Sequence, residues 1–338
     1  MRFHVRFSLL TLICCALVAA LVPGVALAAA EVPVIEKLVA SNCTTETCGQ
    51  ENVLGPFNEP KPAISVEEAE KEGFTQAGGR VPFGVTDFKI LTTGSYPDKV
   101  PTSLVTHLRT DVAAGLATNP FAVPQCSLEN FGTKEAIPGS GAYPPSKCAG
   151  SEIGKNEVTV WLGPEVNKDA PLSGVVYNLE PEKGLASEFG VAISLEPLGL
   201  PGAFAHTLIK GNVEWGKQAN GTNQGDYHDY FEIDVSPKLP LIRSRLAFEG
   251  QKGTGDFITN ATSCPGHNTT TLKMKDFEGN EAPPKGFTTP IGLSGCGSLA
   301  FEPKFELTPE TTQNDQPDPF TATASEPHNP KANDQSQV

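Results

Sequence analysis

At 338 residues the chain has room for one large domain or two of ordinary size, and it is too long for a disulfide mini-protein. It carries 25 Lys and Arg against 39 Asp and Glu, a formal charge of −14. That balance argues against nucleic acid or an anionic bilayer as the main partner, because both call for a basic surface. Hydrophobic residues at 38% suffice for a packed core, whereas 33 Gly and 30 Pro are many for a helical protein.

The first thirty residues have the three parts of a secretory signal. Arg2, His4 and Arg6 form a basic start, Phe7 to Val22 is an almost unbroken apolar run, and Pro23-Gly24 breaks it ahead of an Ala26-Leu27-Ala28 cleavage site. The run is shorter than the ~20 residues a membrane span needs. Residues 1–28 are therefore expected to be removed, leaving a secreted or envelope-associated chain with no transmembrane anchor of its own. Without Cys14 and Cys15 six cysteines remain, an even number that reads as disulfides in an exported protein. Each neighbouring pair brackets one loop-like stretch rich in Gly and Pro, so sequential pairing is expected: Cys43–Cys48, Cys126–Cys148 and Cys264–Cys296. A zinc site is disfavoured, because there is no C-x-x-C pair.

Residues 29–80 read as irregular apart from one short helix, capped by Ser65, supported by Glu68 and stopped by Gly73. From Val81 onward the hydrophobic period is two. Val158, Val160 and Leu162 alternate with polar neighbours. So do Val175, Tyr177 and Leu179, then Phe189, Val191, Ile193 and Leu195, then Thr207 and Ile209 in a strand running to Trp215. Phe231, Ile233 and Val235 face away from Glu232 and Asp234, and Ile242, Ser244, Leu246 and Phe248 oppose Arg243 and Arg245. Further candidates are 87–91, 104–112, 270–276 and 301–307. Many short strands without helices between them imply antiparallel pairing. The expected fold is all-β, an antiparallel β-sandwich of jelly-roll type over 81–309, as one sandwich or as two with a seam near Gly150. Residues 310–338 read as a disordered tail or the start of a further module, because Phe320, Ala322 and Ala324 alternate.

The densest polar stretch is Gly225 to Asp234. Asp226 and Asp229 are candidate metal ligands and His228 a candidate acid–base group, but the spacing does not match a calcium loop, and a polar turn leading into a strand is the simpler expectation. Trp161 and Trp215, with Tyr227 and Tyr230, are candidates for stacking on sugar rings, although single aromatics on strands more often pack in cores or pair across strands. No nucleophile elbow is present, since Gly292-Leu293-Ser294-Gly295-Cys296 lacks its closing Gly. No catalytic residue is assigned, and no cofactor is expected.

Several stretches carry a resemblance: Gly73–Phe83 (GFTQAGGRVPF), Leu116–Cys126 (LATNPFAVPQC), Asp256–Cys264 (DFITNATSC), Gly295–Phe301 (GCGSLAF), Leu307–Pro309 and Thr311-Thr312-Gln313. In these the chain resembles a family of uncharacterised secreted β-rich modular proteins of high-GC soil actinobacteria. The resemblance implies a β-rich N-terminal module ahead of others, and no reaction. Val112-Ala113-Ala114-Gly115-Leu116 stands where that family has a Leu-Pro-Pro-Gly-Leu turn. The function expected is a non-catalytic secreted or cell-surface module with a structural or adhesive role, its candidate partners glycans or other envelope proteins. The alternative is a carbohydrate-active protein, either a glycan-binding module or a glycoside-cleaving enzyme.

Overall fold

The computed structural model describes residues 32–48, 66–94, 100–132, 146–163, 169–216, 226–236, 240–253, 255–264, 266–299, 304–310 and 319–325. The expected signal segment, the Ser65 cap and most of the expected tail lie outside the described residues.

The protein is all-β and antiparallel. Eleven strands form one sheet: β1 (Ile35–Cys43), β2 (Phe83–Ile90), β3 (Val105–Asp111), β4 (Glu152–Trp161), β5 (Asp169–Leu179), β6 (Ser187–Ser194), β7 (Phe204–Gly216), β8 (Asp226–Asp234), β9 (Leu241–Glu249), β10 (Thr269–Asp276) and β11 (Lys285–Thr288). Their order across the sheet is β1-β2-β9-β4-β5-β6-β7-β8-β3-β10-β11. The middle of the sheet, β4 to β8, is a plain meander. Two long-range insertions widen it, with β9 entering between β2 and β4 and β3 between β8 and β10.

The sheet curls until its two edges, β1 and β11, lie side by side. The result is a nearly closed, barrel-like sandwich whose opposite walls belong to one sheet. Phe189 of β6 packs on Phe248 of β9 and on Phe257, with ring centroids 5.4 and 5.7 Å apart, which brings non-adjacent strands together across the interior. No ladder joins β1 to β11 among the described residues. At one end the two edges are bridged by residues 73–77: the Phe74 N–H donates to the Asn42 carbonyl at 2.8 Å, and Thr75 and Ala77 exchange 2.8 Å backbone bonds with Ser294. Lys285 reaches across the gap to the Glu36 carbonyl at 3.3 Å.

Several expectations are corrected. Residues 35–43 are not irregular; they form an edge strand, and a register shift between Ile35 and Lys37 spoils the simple alternation. A single sheet takes strands from both sides of Gly150, so no seam divides it there. A register shift between Leu241 and Arg243 puts Leu241, rather than Ile242, in the row with Ser244, Leu246 and Phe248. Residues 320–325 form β13 (Phe320–Ser325), paired in a hairpin with β12 (Lys304–Pro309), in a stretch read as tail. The expected helix is α1 (Val66–Glu72).

A second helix, α2 (Leu128–Phe131), starts at Ser127, whose hydroxyl accepts from the Asn130 N–H. It seats Phe131 on the outside of the sheet over Gly190, where a Cβ would meet the Phe131 ring at 2.5 Å. With Tyr177, Leu179 and Ala192 this makes a small outer core. The cysteine pairs stand at disulfide distance in sequential order: Cys43–Cys48, Cys126–Cys148 and Cys264–Cys296, with Cα atoms 5.3, 5.4 and 5.9 Å apart. The second bridge anchors beside β5, since Cys126 exchanges 2.9 Å backbone bonds with Asn178 and Glu180.

Candidate functional site

Because side chains alternate across a strand, closing a sheet gives each strand an inner and an outer row. The inner rows are apolar: Val158 and Val160 on β4, Leu172 on β5, Val191 and Ile193 on β6, Ile209 on β7, Phe231 and Ile233 on β8, Leu246 and Phe248 on β9. They do not fill the interior. They enclose a cavity of about 230 Å³ that runs from Phe74, Leu116 and Ile258 at one end to Val235 and Leu241 at the other. An apolar void of roughly 150 Å³ already stays dry and takes up benzene, so this one has room for a larger guest.

At the first end the cavity floor is an inserted plug. The Ile258 and Thr259 backbone pairs with Thr118 and Ala117, and Phe257, Ile258, Val81 and Val123 pack under the ring of Phe189. Beside the unpaired edges the wall is made of half-buried residues, among them Asn42, Phe74, Asn268, Ile291 and Leu293.

The polar groups on the cavity wall are all uncharged: Thr86, Thr110, Thr207, Thr270, Asn156, Ser244 and a few at the rims. Asn156 donates through its amide nitrogen to the Ser244 hydroxyl at 3.1 Å and to the Arg245 carbonyl at 2.9 Å. Two clusters of charge sit on the outer rows. On one wall Arg243 forms a bidentate pair with Asp87, both buried, and Arg245 donates to the Glu46 carbonyl. On the other, the buried carboxylate of Asp111 accepts from Arg109 (2.6 and 3.1 Å), pairs with Lys273 at 3.0 Å, and meets His228 Nε2 at 3.2 Å. Burial pushes the Asp111 carboxyl up, but the hydrogen bonds and charges of Arg109 and Lys273 outweigh it and hold the group below its ordinary value. The guanidinium of Arg109 also stacks 3.9 Å from the Tyr230 ring and pairs with Glu214.

The residues singled out from the sequence therefore divide. Trp215 and Tyr227 are cross-strand partners on the β7–β8 hairpin; their rings meet edge-on at 4.6 Å, and both are well exposed, at 60% and 65%. His228 and Tyr230 lie on the opposite face of the same strand, inside the Asp111 cluster, and His228 is buried out of reach of any substrate. Trp161, half-buried, ends β4 well away in the sheet order. Asp226 and Asp229 are an odd number of residues apart in one strand, so their side chains leave it on opposite faces and do not converge on a single ion. The Asp229 carboxylate is taken by Thr118, whose hydroxyl donates to it at 3.1 Å; burial pushes its pKa up, and the Thr118 bonds counter this only in part.

The lumen residues were missed as a site. Their one sequence signal is that Thr, Ser and Asn share rows with Val, Leu and Phe, and it acquires meaning only when the sheet closes.

Compared with family models, with curated proteins and with solved structures, the chain matches none.

Proposed function

We propose that the chain is a non-catalytic, exported binding module that holds an apolar small molecule in the lumen of its barrel. The observation that carries this reading is the 230 Å³ cavity, walled by the inner rows of ten strands where packed side chains would otherwise meet. Export is supported by the signal-like first thirty residues and by three cysteine pairs at disulfide distance. Among the described residues no helix is long and apolar enough to cross a membrane. A non-catalytic role is supported by the place of the described His–carboxylate pairs: His228 is buried with Asp111, His107 meets Asp234 on the outer face, and none of these residues lines the cavity.

The test is saturable uptake of a neutral fluorescent probe such as N-phenyl-1-naphthylamine by the purified, disulfide-intact chain, with native mass spectrometry to count bound molecules. One probe per chain, displaced by small apolar competitors, is the expected result. Signal that rises without saturating would mean surface adsorption and would sink the reading.

One observation favours a second reading, an adhesive or glycan-contacting surface: the exposed Trp215–Tyr227 pair near the end of the described β7–β8 ladder. The two rings are inclined at 65°, so they offer one stacking face and one edge rather than a flat platform. Binding on a glycan array that disappears in Trp215→Ala, with probe uptake unchanged, would establish it.

A further inference from the structure

We infer that the lumen selects an uncharged ligand, an apolar chain or ring system whose only polar group is a hydroxyl or an ester; this deepens the lumen reading and rests on it. The first ground is what the wall contains. Every described strand residue that lines the cavity is apolar or a neutral Thr, Ser or Asn; no Asp, Glu, Lys, Arg or His is among them. In a chain with 64 acidic and basic residues this is a sorting by face: Asp87, Lys89, Arg243 and Arg245 stand on the outer rows of β2 and β9, and Arg109, Asp111 and Lys273 on those of β3 and β10.

Among the described residues Asp229 shares a row with Phe231, and Lys285 is the cross-strand partner of Leu272; both are engaged at the ends of the lumen. Asp229 holds Thr118, and Lys285 holds the Glu36 carbonyl at the gap between β1 and β11. A ligand carboxylate inside would meet no cation among the lining residues, and a ligand ammonium no anion. Either ion would be taken out of water unpaired, which binding cannot offset.

The second ground is what the neutral wall offers in place of charge. Asn156 is buried, and its amide hydrogens go to Ser244 and to the Arg245 carbonyl. Its carbonyl oxygen remains an acceptor on the lumen wall, and the Ser244 hydroxyl, which accepts from Asn156, keeps a hydrogen to donate. Acceptor and donor lie next to each other among Val158, Leu246 and Phe248. This suits a hydroxyl, which both donates and accepts, or an ester carbonyl, which accepts from Ser244.

The experiment uses three competitors with the same tail and different heads: dodecan-1-ol, dodecanoate and dodecyltrimethylammonium. Each is titrated at neutral pH, below its aggregation threshold, against the neutral probe bound to the disulfide-intact chain. Dodecan-1-ol should displace the probe, with each ion at least about a hundredfold weaker. Either ion displacing the probe as well as the alcohol overturns the inference while leaving the lumen reading intact. Failure of the probe itself to bind overturns both. A second arm uses Asn156→Asp, which places a carboxylate on the wall. In that variant the alcohol should weaken and the trimethylammonium ion gain at least about tenfold on it; an unchanged ranking in folded variant counts against the inference. If the variant does not fold, the three-headed comparison on the unmodified chain decides.

Discussion

Phe189 and Phe305 each stand on the apolar side of an alternating strand, yet Phe189 is fully buried and Phe305 is 68% exposed. In the β12–β13 hairpin Phe305, Leu307 and Pro309 face Ala324, Ala322 and Phe320 on one side, while Lys304, Glu306 and Thr308 face Ser325, Thr323 and Thr321 on the other. The alternation is as clean as in the barrel, and every residue of the pair is exposed. What differs is what the apolar row faces. In the barrel the sheet curls round and one inner row meets another, whereas two strands alone have no opposite wall, which is why isolated hairpins are marginal in water. Period two thus encodes a two-faced ribbon, and closure makes one of its faces an interior.

Four substitutions test how differently the barrel and the hairpin are held. Phe189→Ala should have the largest effect, because the ring contacts Phe231, Phe248 and Phe257 and its loss leaves a hole beside an existing cavity. A loss of about 3–5 kcal/mol is expected, read as a lower denaturant midpoint at unchanged m-value. Less than about 1 kcal/mol would mean that this ring cluster does not hold the walls together. Replacing Cys126 and Cys148 together by Ala comes next. It releases a loop with a sequence separation of 22 that is pinned to β5, and should cost about 2–4 kcal/mol in thermal or chemical unfolding.

Asp111→Asn tests the outer wall. It leaves Arg109, Lys273 and His228 facing a neutral amide, and about 2 kcal/mol should be lost at neutral pH, less than for a fully buried pair because Lys273 is partly exposed. Asp111 has a lowered pKa in the fold. Its contribution is therefore fully present above the ordinary carboxylate value near pH ~4 and fades as the pH falls through the lower folded value. The variant should show a shallower fall in stability at acid pH than the parent. An identical acid profile would mean that other carboxylates dominate. The smallest change belongs to the hairpin. Phe305→Ser with Phe320→Ser should leave barrel unfolding within about 0.5 kcal/mol. A loss approaching that of Phe189→Ala would break the comparison, for it would mean that the hairpin's apolar side is covered in solution.

The strands that could be read in advance are those whose two faces differ. β4 and β6 to β9 alternate Val, Ile, Leu and Phe with polar residues, because one side looks into an apolar lumen and the other outward, whereas the Val175, Tyr177 and Leu179 row of β5 is covered from outside by Phe131 and the Cys126–Cys148 bridge. β1 was illegible for a local reason: Leu38, Val39 and Ala40 are all buried, so both of its faces are covered and period two is lost. β11 is four residues long with a Gly in it, too short to show any period. Trp215 and Tyr227 were visible as aromatics, but their contact depends on the β7–β8 register. The Asp111–His228 contact joins residues 117 positions apart, and the lumen depends on β9 entering between β2 and β4. Alternation within a segment carries no information about such pairings, so a sheet could be foreseen while its closure, and the cavity that closure makes, could not.

The gap between β1 and β11 has a mechanical consequence. Everywhere else, parting the wall means rupturing a run of interstrand hydrogen bonds. Along this one line the main clasps are a few backbone bonds around Ser294 and a lysine tail lying on a carbonyl. The staves on either side can spread there while the rest of the cask stays hooped. Amide deuteration on β1's outer edge and around 285–294 should accordingly run ahead of that in the β5–β6 meander, and slow when a guest is aboard.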